Sequence, residues 1–181
     1  MSMCSERHIE NIALIGFMGT GKSSVGRLVA EHLHFGFLDT DELIEARARK
    51  EVSRIFAEDG EARFREYERE IVDELAKRKR TVISTGGGVG ANAANLASLK
   101  SHALVVCLWA SPEKIWERVR HQSHRPLLQE ADPQAKIRQL LASREASYKQ
   151  ADVLLNTEVR SLKEVATQLM HEFQSVRSKR A

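Results

Sequence analysis

One stretch restricts this chain more than any other: Gly16-Phe17-Met18-Gly19-Thr20-Gly21-Lys22-Ser23, directly behind the apolar run Ile12-Ala13-Leu14-Ile15. It fills every fixed position of the phosphate-loop pattern G-x-x-x-x-G-K-[S/T]. Glycines at these positions let successive backbone N–H groups turn inward around phosphate oxygens, where side chains would clash. Lys22 is then set to neutralise β and γ phosphates, the Ser23 hydroxyl to reach a magnesium ion, and the helix that starts there to add its positive end. The flanks agree, since Val25, Leu28, Val29 and Leu33 recur at helical spacing behind the loop. A strand, a loop and a helix in that order make a nucleotide site the reading to pursue, against a glycine-rich turn with a chance Gly-Lys-Ser.

Beyond the loop, short apolar runs alternate with helical patterns. The runs are Ile12 to Ile15, Phe37-Leu38, Val82-Ile83, Leu104 to Leu108 and Val153 to Leu155. Between them, apolar residues recur at helical spacing at 43–44, 64–75, 115–119, 137–141 and 162–173. Nearly all-apolar strands separated by helices predict a parallel sheet covered on both faces, an α/β domain. With 181 residues, one domain is expected. Leu162, Val165, Leu169 and Phe173 are expected in the core, and Trp109 and Trp116 are expected to pack rather than to recognise a ligand.

A formal charge of +3, partly from the terminal Arg177-Ser178-Lys179-Arg180, gives no ground for a nucleic-acid partner. No apolar run approaches the roughly 20 residues that span a bilayer, and 1–10 carries no secretory apolar stretch, so no membrane partner is expected. Cys4 and Cys107 have no metal spacing; Cys107, inside an apolar run, reads as a buried free thiol in a reducing cytoplasm. No stretch offers a surplus apolar face, and a monomer is expected.

Four constellations fall where strand ends would gather them near the phosphate loop. Asp39-Thr40-Asp41 follows the second strand; its two acids can divide between a magnesium shell and a substrate hydroxyl, or Thr40 or Asp41 can simply cap a helix beginning at Glu42. Arg65 and Glu68, three apart, form either a surface ion pair or a pair whose arginine turns to a substrate carboxylate, and the spacing leaves both open. Thr85-Gly86-Gly87-Gly88 suits close approach of backbone to a ligand better than a simple turn. Finally, Arg125-Pro126-Leu127-Leu128 lies in a polar stretch, 121–133, longer than an ordinary connection and suited to a lid; Arg118 precedes it and Arg144 follows.

Taken together, GFMGTGKSSVGRLVA (16–30), FLDTDELIE (37–45), IFAEDGEARFREYE (55–68), STGGGV (84–89), RPLL (125–128) and R-x-x-x-Y (Arg144 to Tyr148) resemble the shikimate kinases from about residue 12 to 172. The resemblance implies a single three-layer α/β/α P-loop domain of nucleoside monophosphate kinase type, with five parallel strands in the order 2-3-1-4-5. Within it lie a substrate-binding helical region at about 40–70 and a lid at about 120–132. It implies ATP and Mg2+, and transfer of the γ-phosphoryl group to the 3-hydroxyl of shikimate. Gly19, Thr20, Gly21, Lys22, Ser23 and Ser24 would hold ATP phosphates, with Arg118 against adenine and Arg125 reaching in from the lid. Ser23 and Asp39 would serve the metal. Asp41, Phe56, Phe64, Arg65, Glu68, Gly86, Gly87, Gly88 and Arg144 would hold shikimate, with Lys22, Asp41 and Arg125 catalytic. Asn156-Thr157-Glu158 would frame adenine. The rivals are a kinase for another small hydroxy acid such as gluconate, a nucleoside monophosphate kinase, and a nucleotide-binding protein without turnover.

Overall fold

The computed structural model describes residues 7–121 and 132–178. Cys4, Arg125 and nearly all of the expected lid lie outside the described residues. The strands β1 (Asn11–Ile15), β2 (Gly36–Asp39), β3 (Thr81–Ser84), β4 (Ala103–Trp109) and β5 (Val153–Asn156) form one parallel sheet in the order β2-β3-β1-β4-β5. Each expected run is found, extended by one or two residues at its ends, and the order is the expected one.

Because side chains alternate along a strand, β1 to β4 feed two cores, while β5 feeds one and leaves Leu154 exposed. Ala13, Ile15, Ile83, Val105 and Cys107 point to one face; Ile12, Leu14, Val82, Leu104, Val106 and Leu108 point to the other. The second face is covered by α1 (Lys22–Leu33) through Val25 and Val29, and by α8 (Leu162–Ser178) through Val165, Leu169 and Phe173. The first is covered by α4 (Gly60–Leu75), α5 (Ala93–His102), α6 (Pro112–Val119) and α7 (Pro133–Tyr148), through residues such as Ile71, Leu99, Ile115 and Ile137. Each large aliphatic side chain so buried contributes roughly 1.5–3 kcal/mol.

Several expectations need correction. Leu162 and Trp109 are each 44% exposed rather than core. Both stand at element ends, where periodicity no longer guarantees a covering neighbour; Trp116, one turn into α6, does pack on the core. The sequence reading contains no helix at 93–102, because α5 offers only Leu96 and Leu99 to the core and so has little periodic signal. Its start is nonetheless encoded, since the Asn92 side chain accepts from the N–H groups of Ala94 and Asn95. Ahead of α4, the short α3 (Val52–Arg54) runs into a π-helical turn, Ile55–Asp59, which also has no counterpart in the sequence reading.

At the amino-terminal edge of the sheet, fully buried Asn11 ties three segments together. Its Oδ1 accepts from Thr81 N–H at 3.0 Å, and its Nδ2 faces Arg78 O at 2.6 Å and His102 Nδ1 at 3.0 Å. Burial holds the His102 imidazole below its ordinary pKa. Cys107 is a buried free thiol, as expected, pushed up to about 12 by burial and therefore unreactive. Among the described residues, no helix is long and apolar enough to cross a membrane.

Candidate active site

The carboxyl ends of β1, β2, β3 and β4 bring the motif residues together. After β1 the chain turns at Gly16, φ 132°, where a Cβ atom would stand 2.2 Å from the Leu108 carbonyl oxygen. Gly19 and Gly21 also have positive φ, and Gly21 caps α1 in the left-handed conformation. Lys22 is buried and lies back across the loop, donating to Gly16 O at 2.9 Å and Phe17 O at 2.8 Å. Thr20 is also buried, and its hydroxyl donates to Phe17 O at 2.8 Å; it serves the shape of the loop. Ser24 is exposed in the first turn of α1. Arg118, on α6, donates to Gly19 O at 3.1 Å and to both Thr157 Oγ1 and Thr157 O, lashing the phosphate loop to the connection after β5.

Beside Lys22, the Ser23 hydroxyl donates to Asp39 Oδ2 at 2.8 Å and lies 3.1 Å from Ser84 Oγ at the end of β3. The other oxygen of Asp39 accepts from Asp41 N–H at 3.0 Å. This corrects the expected cap: α2 (Thr40–Ala48) begins two residues earlier than Glu42, and Asp39 is its N-cap, not Thr40 or Asp41. A hydroxyl and a carboxylate are hard oxygen donors that fit magnesium, which takes few protein ligands and completes its shell with water and phosphate. Among the described residues no group of three or more His, Cys, Asp and Glu suited to another metal occurs.

The substrate side is assembled around the three glycines after β3. A Cβ on Gly86 would stand 2.5 Å from Asp41 Oδ1 and 3.3 Å from Glu68 Oε1, so both acids close on that glycine. On Gly88 it would stand 2.1 Å from Arg65 Nη1, and on Gly87 3.4 Å from Arg144 Nη1. Arg144 donates to Gly87 O at 3.0 Å, its guanidinium 5.4 Å from the Phe17 ring centroid. Arg65 donates to Glu68 Oε2 at 2.6 Å and to Glu61 Oε1. The two readings left open for Arg65 and Glu68 therefore merge: they are paired, but Glu68 is only 1% exposed and the pair lines the cleft. Burial pushes the Glu68 carboxyl above its ordinary pKa, and the neighbouring Arg65 offsets this only in part. Among the described residues its Oε1 has no hydrogen-bond partner. Phe56, on the π-helical turn, meets Phe64 of α4 with ring centroids 4.6 Å apart, an apolar wall next to Arg65. Asp41, Arg65, Glu68 and Arg144 thus gather around the three glycines, and Ser23 and Asp39 meet beside the phosphate loop, while, among the described residues, Ser24 and Arg118 have no contact with that cluster.

Four more residues join these contacts; Ser84 and Tyr148 carry no role of their own in the sequence, Thr40 only that of a possible cap, and Thr157 only a place in the segment expected at adenine. Thr40, fully buried, accepts from Gly86 N–H at 2.8 Å. Ser84 contacts Ser23, Tyr148 donates to Gly87 O at 2.7 Å, and Thr157 receives Arg118. Each lies inside or beside a quoted motif, so proximity was the available signal; the partner across the fold was not.

Comparison with known proteins follows the same lines. The sequence model of the shikimate kinase family matches residues 18–174. A shikimate kinase of Thermodesulfovibrio yellowstonii is 45% identical over 166 residues, 92% of this chain and 96% of that protein. One of Caldanaerobacter subterraneus is 41% identical over 165 residues, covering 91% and 96%. Among solved structures, a shikimate kinase from Acinetobacter baumannii in complex with shikimate superposes with a TM-score of 0.88 at 36% identity, covering 93% of this chain and 95% of that one. A gluconokinase from Sinorhizobium meliloti reaches a TM-score of 0.66 at 18% identity, with 97% and 100% covered, which is a likeness of fold alone.

Proposed function

Because this chain belongs to the shikimate kinase family, we propose that the cleft transfers the γ-phosphoryl group of ATP to the 3-hydroxyl of shikimate. The observation that carries the reading is the convergence of Arg65 and Arg144 on adjacent glycines, next to the loop that holds Lys22 and Ser23. Two guanidinium groups facing one small space between a phosphate loop and a pair of carboxylates match a ligand that is both a carboxylic acid and a polyol.

In this assignment, backbone N–H groups of 16–23 and the Lys22 ammonium hold the phosphates. Ser23 and Asp39 are the residues that would hold magnesium, which when bound offsets phosphate charge. Lys22 must leave the carbonyl oxygens of Gly16 and Phe17 to reach a phosphate, so its present bonds are those of a waiting cation. Arg65 and Arg144 grip the shikimate carboxylate, while Phe56 and Phe64 shape the wall behind it. Asp41 orients the attacking hydroxyl and takes its proton as the new O–P bond forms and the bond to the ADP oxygen breaks. Glu68 holds Arg65 in place. Positioning and charge stabilisation supply the rate, as in phosphoryl transfer generally. The helical region of about 40–70 is the substrate-binding part of a single domain. Arg118, Thr157 and Glu158 border the place assigned to adenine, and Arg125 keeps a role in phosphate charge on its R-P-L-L match alone. A monomer in a reducing cytoplasm completes the proposal, consistent with the free Cys107 thiol.

The test is ADP release with MgATP and shikimate, gluconate or no acceptor. Turnover dependent on shikimate, with phosphoshikimate as product, is expected; turnover with gluconate alone, or nucleotide binding with no turnover on any acid, would overturn it.

A further inference from the structure

The glycine triplet has no side chains, and local backbone bonds hold only two of its polar groups: Gly86 O accepts from Val89 N–H at 3.1 Å and Gly88 O from Ala91 N–H at 3.0 Å. Two hydroxyls from other elements hold a further N–H and carbonyl. Thr40, fully buried at the first turn of α2, takes the Gly86 N–H at 2.8 Å across 46 residues of chain. Tyr148, buried at the end of α7, gives its O–H to Gly87 O at 2.7 Å across 61 residues. We propose that Thr40 and Tyr148 are positioning residues for the acceptor substrate, clamping the Thr85–Gly86 and Gly87–Gly88 peptide groups of the glycine loop while touching neither substrate.

Thr40 sits between Asp39 and Asp41, so its bond fixes the distance from the Asp41 carboxylate to the Gly86 surface against which it lies. Without the hydroxyl, the Gly86 N–H is left unpaired in a buried place, and the loop gains by rotating toward another acceptor. Tyr148 acts differently. Gly87 O also receives Arg144 at 3.0 Å, and Arg144 must give up that bond to turn fully toward a carboxylate. With Tyr148 still donating, the carbonyl stays satisfied when Arg144 leaves. Burial raises the Tyr148 phenol above its ordinary pKa, so it stays a proton donor throughout the neutral range.

The inference rests on the shikimate reading, and the experiment separates the two. Thr40→Val and Tyr148→Phe each remove one hydroxyl at nearly constant shape, and Thr40→Ser keeps the hydroxyl while losing the methyl; steady-state kinetics in both substrates and thermal midpoints are read for all three. Thr40→Val is expected to lower kcat/KM for shikimate about ten- to hundredfold with the MgATP KM within about twofold, and Thr40→Ser to recover most of the loss. Tyr148→Phe is expected to raise the shikimate KM about fivefold or more with kcat nearly unchanged. Equal losses for both substrates, no recovery by Thr40→Ser, or unchanged shikimate constants in both hydroxyl-deleted variants would overturn the positioning role. A wild-type protein that does not phosphorylate shikimate would overturn the functional reading and this one with it.

Discussion

Ser23 and Asp39 are joined by a 2.8 Å hydrogen bond that uses one oxygen of the carboxylate, while the other oxygen caps α2. One side chain therefore serves both the proposed metal site and the local fold, and substitution can separate these roles. Asparagine keeps a capping oxygen but loses the charge; alanine loses both.

Asp39→Asn is accordingly expected to keep its stability but to need about tenfold more magnesium for half-maximal turnover. Asp39→Ala is expected to show the same magnesium defect and to lose about 1 kcal/mol, a midpoint shift of about 2–4 °C. Magnesium titrations and thermal unfolding read the two effects; a normal magnesium requirement in Asp39→Asn would remove Asp39 from the metal site.

Arg65→Met strands a carboxylate that is 1% exposed, and removing one partner of a buried pair costs about 3–5 kcal/mol, toward the lower end here because Arg65 itself is partly exposed. Adding Glu68→Gln is expected to restore much of the stability but none of the affinity for shikimate, whose KM stays raised about tenfold or more. Urea unfolding beside kinetics decides this. A double variant that regains both would make Arg65 a structural residue only.

Gly86 and Gly16 are predicted to fail in different ways. An alanine methyl at Gly86 meets the carboxylate end of Asp41, which can swing aside, so Gly86→Ala should fold with a near-normal midpoint and lose kcat/KM for shikimate by about a hundredfold. At Gly16 the methyl meets the Leu108 backbone carbonyl at 2.2 Å and φ is 132°, so Gly16→Ala should lose stability before kinetics can be measured. Differential scanning calorimetry of both variants, with kinetics for Gly86→Ala, tests the contrast.

Acid should weaken the amino-terminal edge of the sheet. Asn11 Oδ1 is committed to Thr81 N–H, so Nδ2 faces His102 and the imidazole Nδ1 must be an unprotonated acceptor. Burial lowers the folded pKa, while the unfolded chain takes up its proton near pH 6.5. Below that pH the unfolded state binds more protons, so this contribution to stability is complete above about pH 6.5 and is lost as pH falls, at up to about 1.4 kcal/mol per unit. Unfolding free energies at pH 7.5 and 5.5 are expected to differ less in His102→Gln than in the wild type; an identical difference would exclude His102 as the cause.

The sequence by itself determined whatever depends on local spacing. The phosphate loop between an apolar run and an amphipathic helix, the parallel sheet implied by five apolar strands, and the motif order that resembles one kinase family can all be read along the chain. These features have a period or a fixed gap, and backbone geometry converts both into structure. The tertiary structure decided how one residue serves two neighbours. That Asp39 rather than Thr40 caps α2, and that Glu68 is buried beneath Arg65, turn on which near neighbour a side chain takes and what covers it; that Thr40 and Tyr148 hold the glycine loop depends on partners 46 and 61 residues apart that only the folded sheet brings within hydrogen-bond reach. The exposure of Trp109 and Leu162 belongs here too: a side chain's apolarity is written in the sequence, but what covers it is set by where neighbouring elements end.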